Sequence, residues 1–238
     1  MAERSFNNLV KTVETLLGEN GCPWDRSRTF ENLREDLIEE CYETVDAVDK
    51  QDNAHLREEL GDVLLAVLLY AKIAEKDGLF TLTDIISGIG EKLIRRHSHV
   101  FGDKKAVTPE ESLSNWEAEK KLEKGHSSAT ERLRDVPKSL PALMRAQKVL
   151  KRAEGSGITG ADLNSRIDEL YSFASELKNR AANDENPERQ IGGVLLCLAD
   201  ISRFFEINAE ISLTNAIETF INVFEVAENA VTATFNGT

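Results

Sequence analysis

Apolar residues recur at helical intervals almost from end to end of the chain, and no stretch alternates as a half-buried strand must. Phe6, Leu9, Val10, Val13, Leu16 and Leu17 fall on one stripe, and Leu33, Leu37, Cys41, Val45 and Val48 on another. Such spacing restricts the chain to an all-α fold. Helix starts are signalled at Thr83 before Asp84, at Ser139 ahead of Pro141, and at Asn186 before Pro187. Residues 18–29 and 153–161 lose the periodicity to turn formers and are expected as loops.

A chain of 238 residues with 41% hydrophobic content can bury a core in one large or two smaller domains. It carries 42 acids against 29 Lys and Arg, a net charge of -13. That field repels nucleic acid and anionic membrane, so neither is expected as a partner, and phosphate handling would require a cation. Cys22, Cys41 and Cys197 are far apart and match no zinc spacing, which suits a reducing cytoplasm. The N-terminus lacks the apolar core of a signal peptide. The longest apolar run, Val63 to Ala71, is far below the ~20 residues of a membrane span. Gly155 to Gly160 matches a dinucleotide-binding pattern, but no strand precedes it, so it is expected as a linker.

An internal repeat is more informative. Gly61-Asp62-Val63-Leu64-Leu65 reappears as Gly192-Gly193-Val194-Leu195-Leu196, each expected to open an apolar helix between amphipathic ones. Two copies of one helical unit are expected.

The first copy concentrates carboxylates. Glu39-Glu40-Cys41-Tyr42-Glu43 lies on one helix and Glu59-Leu60-Gly61-Asp62 on the next, with fifteen residues between. Glu40 and Glu43 form an i, i+3 pair, as do Glu59 and Asp62. At ~100° per residue from Leu37, the apolar stripe covers about -40° to +80°, with Glu40 near about -60° and Glu43 near about -120°. Both acids border the core face. Glu39, near about -160°, points further towards solvent and suits an outer, water-orienting role. Oxygen ligands without His or Cys favour Mg²⁺ or Mn²⁺ over zinc. The plainer alternative is a solvated acidic face.

Basic residues complement the acids. Lys92, Arg95 and Arg96 share a later helix, and residues 120–152 carry ten Lys or Arg against three acids. Arg grips phosphate as a planar fork and Lys as a point charge. Cations at a helix end also favour the dipole, the alternative account of these segments.

E-E-x-x-E followed after fifteen residues by E-x-x-D resembles the signature of all-α nucleoside triphosphate pyrophosphohydrolases. Cys22-Pro23-Trp24-Asp25, Lys92 to His97 and His99-Val100-Phe101 are similar to the MazG family specifically, as is Ser139 to Lys148. One departure is Ser98, where that family usually has proline. The resemblance implies tandem four-helix-bundle-type units, a homodimer, and Mg²⁺-dependent hydrolysis of NTP to NMP and pyrophosphate with broad or housekeeping specificity. Carried over by position, Glu40, Glu43, Glu59 and Asp62 would hold metal, Glu39 would assist catalysis, and Lys92, Arg95 and Arg96 would bind substrate phosphates. Residues 1–125 are expected as the catalytic unit, 126–160 as a basic helical linker and 161–238 as a degenerate unit. A narrower dUTP- or dCTP-type pyrophosphatase and a helical scaffold are the competing expectations.

The second copy is expected to lack the site. Aligned on the repeat, Glu59 faces Gln190, Asp62 faces Gly193, Glu39 faces Ser172, Glu40 faces Phe173, and Glu43 alone keeps an acid as Glu176. Lys92, Arg95 and Arg96 face Thr219, Asn222 and Val223.

Overall fold

The computed structural model describes residues 5–158 and 162–236. Among them twelve helices follow one another and no strand occurs, as the apolar spacing requires. The chain divides into two compact units at residues 123 and 124. The first holds α1 (Phe6–Leu17), α2 (Pro23–Arg26), α3 (Phe30–Asp49), α4 (Asn53–Lys76), α5 (Leu82–Arg96), α6 (Ser98–Phe101) and α7 (Pro109–Lys124), whose last residue crosses the boundary. The second holds α8 (Ala129–Arg134), α9 (Ala142–Glu154), α10 (Leu163–Ala182), α11 (Glu188–Phe204) and α12 (Ala209–Asn236). No described helix is long and apolar enough to cross a membrane.

Caps set the boundaries of the helices that matter. Thr29 and Asn32 form a reciprocal capping box that starts α3, and the Asp52 carboxylate accepts from the amides of Ala54 and His55 to start α4. Between them Lys50, Gln51 and Asp52 reverse the chain, with Gln51 in the left-handed region at φ 55°. The turn makes α3 and α4 an antiparallel hairpin. Val13, Leu33, Leu68 and Leu69 form the buried core that joins this hairpin to α1, with Tyr70 stacked on Phe30 at 5.8 Å.

The second unit repeats the plan. α10 and α11 pack as the hairpin, with α9 and α12 against α11, as α1 and α5 lie against α4. The basic segment 126–160 supplies α8 and α9 to this unit.

Three local expectations change. Residues 18–29 include the short α2, begun by Pro23. α5 starts at Thr81, not Thr83, because the Thr81 hydroxyl and the Asp84 carboxylate cap each other's backbone amides. Gly61 and Gly192 sit inside α4 and α11 and open neither, since Asp52 caps α4 two turns earlier. The Gly155–Gly160 segment follows the end of α9 with Gly157 at φ 71°, and its positions from 159 onward lie outside the described residues.

Candidate active site

The face of α3 that meets α4 decides which acids converge. Leu33 and Ala47 are buried, about -40° and -80° from Leu37, while Cys41, Val45 and Val48 are exposed. The packed face is therefore rotated from the apolar stripe towards the acids, with Glu40 near its middle. Glu40 is half-buried, and Glu39, one residue back, is exposed.

From α4, Glu59 enters this contact with only 5% of its surface exposed. Glu40, Glu43 and Glu59 each offer an oxygen such that all three lie within 4.8 Å of one another. Asp62, one turn further along α4, stands outside that trio yet acts on it electrostatically. Burial, the Asp62 charge, a hydrogen bond to Glu59 and the charges of Glu43 and Glu59 push the Glu40 carboxyl up to about 7. Carboxylates crowded in this way repel unless a proton or a cation intervenes. An all-oxygen set brought together from two helices fits a hard divalent ion.

One participant lies outside the sequence-level set. His55 Nε2 stands 2.6 Å from Glu59 Oε1, one turn earlier on α4, and fixes that carboxylate's orientation. The i, i+4 spacing of His55 and Glu59 was the available signal.

The basic residues form a separate group on α5. Arg95 Nε donates to Glu123 Oε1 at 2.6 Å, and Arg96 donates through Nε and a terminal nitrogen to Glu123 Oε2 at 3.0 and 2.5 Å. The Arg96 guanidinium also lies over the Trp116 ring at 5.3 Å, with Lys120 over the same ring at 4.8 Å. Lys92 is exposed. Among the described residues no ion pair joins these cations to Glu40, Glu43, Glu59 or Asp62. Glu123 and Trp116 escaped sequence reasoning because about 20 or more residues separate them from the arginines. A cavity of about 710 Å³ in this unit, lined by Glu14, Arg28, Lys72 and Asp77 among others, includes none of the candidate residues.

At the corresponding place in the second unit, Gln190 Nε2 donates to Glu176 at 3.0 Å. The Phe173 ring lies so close to Gly193 that a Cβ there would meet it at 2.6 Å. A single acid bonded to a glutamine amide, and an aromatic ring against a glycine, stand where the first unit has four acids.

Residues 28–101 match the family model described as the MazG nucleotide pyrophosphohydrolase domain, a span holding every candidate residue. The chain is 38% identical over 219 residues to the nucleoside triphosphate pyrophosphohydrolase of Escherichia coli (strain K12), covering 90% of this chain and 83% of that protein. It is 37% identical over 226 residues to the nucleoside triphosphate pyrophosphohydrolase/pyrophosphatase MazG of Thermotoga maritima, covering 95% and 86%. It is 41% identical over 226 residues to the uncharacterized protein YabN of Bacillus subtilis (strain 168), where it covers 94% of itself but spans 46% of the relative.

Proposed function

The chain belongs to the MazG family of nucleoside triphosphate pyrophosphohydrolases, and from that premise we propose that its first unit hydrolyses a nucleoside triphosphate to the monophosphate and pyrophosphate. The observation that carries this reading is the carboxylate trio of Glu40, Glu43 and Glu59 drawn together by the α3–α4 hairpin.

In this reading Glu40, Glu43, Glu59 and Asp62 hold Mg²⁺, for which Mn²⁺ can substitute. When bound, the ion would draw charge from the phosphoryl oxygens and make water a better nucleophile. Lys92, Arg95 and Arg96 hold the phosphate chain in line. Glu39, exposed beside Glu40, accepts the proton of the water that attacks the α-phosphorus, while the bond to the bridging oxygen breaks and pyrophosphate leaves. His55 keeps Glu59 aimed at the site, as outer partners of ligating groups do.

Broad specificity is part of the proposal, and comparison of substrates tests it against the narrower reading. Homodimerisation is part of the same proposal: Val45, Val48 and Ile38 on α3 and Leu60 on α4 leave an apolar surface uncovered beside the acids. The second unit, with Phe173 and Gly193 in place of two acids, is assigned a structural role.

Product analysis with Mg²⁺ tests the proposal. NMP and pyrophosphate are expected, with turnover falling by at least about a hundredfold in folded Glu40→Gln and Asp62→Asn variants and staying nearly unchanged in Glu176→Ala. Release of orthophosphate, or full activity in the first two variants, would overturn it. In a panel of NTPs and dNTPs, comparable kcat/KM values support breadth, and a strong preference for dUTP or dCTP would replace it with the narrower pyrophosphatase.

A further inference from the structure

The Glu123 carboxylate fills the place that the assignment of Arg95 and Arg96 reserves for phosphate. One carboxylate there accepts three hydrogen bonds from two guanidiniums at 2.5 to 3.0 Å. Planar forks of Arg bind carboxylate and phosphate with the same geometry, so the two ligands compete for the N–H groups that Glu123 occupies. The hydrogen bonds of Arg96 and Arg95 hold the Glu123 carboxyl down to about 2, so it is a full anion at any working pH.

Among the described residues, no other helix packs against α7 through the backbone. Its links to the rest of the first unit run through side chains, among them Glu123 to Arg95 and Arg96, Glu119 to Lys104 at 2.7 Å, and Trp116 to Arg96. The Arg95–Glu123 and Lys104–Glu119 pairs each have a cation about half exposed, so they contribute little and weaken with salt, whereas Arg96 and Glu123 are largely covered where they meet. A carboxylate on a helix joined to its unit through side chains can yield to a ligand of higher charge. A triphosphate offers several anionic oxygens where Glu123 offers two.

We propose that Glu123 is an internal competitor for the phosphate-binding arginines, occupying Arg95 and Arg96 in the free protein and giving them up when a triphosphate binds. It thereby sets substrate affinity without taking part in bond making or breaking. The inference rests on the assignment of Arg95 and Arg96 to substrate phosphates made above. A residue that merely ordered the arginines would have the opposite effect, because its loss would weaken phosphate binding.

The sign of the affinity change is therefore the test. In the 238-residue chain, Glu123→Gln should lower the dissociation constant for inorganic triphosphate, and the KM for NTP, by about three- to tenfold, with kcat little changed. Unchanged or weaker binding overturns the proposal. The gain should vanish when Glu123→Gln is combined with Arg95→Gln and Arg96→Gln, and its persistence in that background equally overturns it. Arg95→Gln with Arg96→Gln alone should weaken triphosphate binding. If it does not, the assignment of these arginines to phosphate has failed, a result distinct from failure of the competition. Fluorescence in a Trp24→Phe background gives a second readout: triphosphate should change Trp116 emission as Arg96 leaves Glu123, and a silent Trp116 speaks against displacement.

Discussion

The α3–α4 and α10–α11 hairpins share one backbone plan and differ at the points where charge is buried. In the first, Leu33 and Leu69 are core and the acids Glu40 and Glu59 are half-buried and buried near the other end. In the second, on the register of the repeat, Arg166 replaces Leu33 and Asp200 replaces Leu69, while Phe173 replaces Glu40. Asp200 is 5% exposed and lies 2.7 Å from Arg166 Nε and 2.9 Å from Arg203 Nε, with Glu169 and Glu154 completing the pairs. Charge has thus been neutralised inside the second unit at its core, where every partner is a side chain of the chain itself. In the first unit Glu40, Glu43 and Glu59 gather charge of one sign with no Lys or Arg paired to them among the described residues and only the His55 imidazole beside Glu59, which leaves room for a cation. On the proposed function, the same helical hairpin serves a ligand in the first unit and structure in the second.

The largest effect expected from disturbing this comparison is on stability. Asp200→Ala should cost about 3 kcal/mol in chemical denaturation, because removing one member of a buried ion pair strands the others. Arg166→Leu with Asp200→Leu, which restores the pattern of the first unit, should be close to neutral or stabilising. A double variant as unstable as Asp200→Ala would show that the two cores are not interchangeable. In the first unit Leu33→Ala should cost about 2–5 kcal/mol by leaving a cavity.

A smaller effect separates two adjacent glycines of α11. Gly193→Ala drives a Cβ into the Phe173 ring and should destabilise by about 1–3 kcal/mol. At Gly192 an added methyl group would have nothing within 4 Å, and Gly192→Ala should stabilise by about 0.5–1 kcal/mol through helix propensity. Equal melting temperatures for the two variants would contradict the packing of Phe173 on Gly193.

The smallest effect is a pH dependence confined to the first unit. The Glu40 carboxyl, ordinarily near 4.5 and raised to about 7 by burial and its neighbours, binds its proton more tightly folded than unfolded. Its stabilising contribution is complete below the ordinary value and is lost as pH rises through about 7. Melting of chelator-treated protein should therefore decline over that window, Glu40→Gln should flatten the decline, and added Mn²⁺ should raise the melting temperature more at about pH 8 than at about pH 5.5. An identical profile in Glu40→Gln would place the repulsion elsewhere.

Much of the site was legible in the linear order of residues. Glu40, Glu43 and Glu59 converge as their i, i+3 spacing on successive helices suggested, since that spacing is a local property of the helix. Their degree of burial was not legible. The apolar stripe of α3 pointed to Cys41, Val45 and Val48 as core, yet these are exposed, because α4 meets α3 on the flank that carries Glu40. Helical spacing identifies an apolar face but not which neighbour covers it. Glu123 is one of three acids in the basic stretch 120–152, and its hold on Arg95 and Arg96 depends on how the segment between α5 and α7 returns.

The sequence by itself determined the helical class, the repeat, the carboxylate spacing and the loss of acids in the second copy. All of these follow from residue type and intervals of a few residues. Tertiary structure alone decided which acids approach within 4.8 Å, that Glu40 is pushed up to about 7, that Phe173 packs on Gly193, and that Glu123 occupies the arginines. The physical reason is that burial and charge coupling depend on separations through space of a few ångströms, between groups that the chain itself places tens of residues apart.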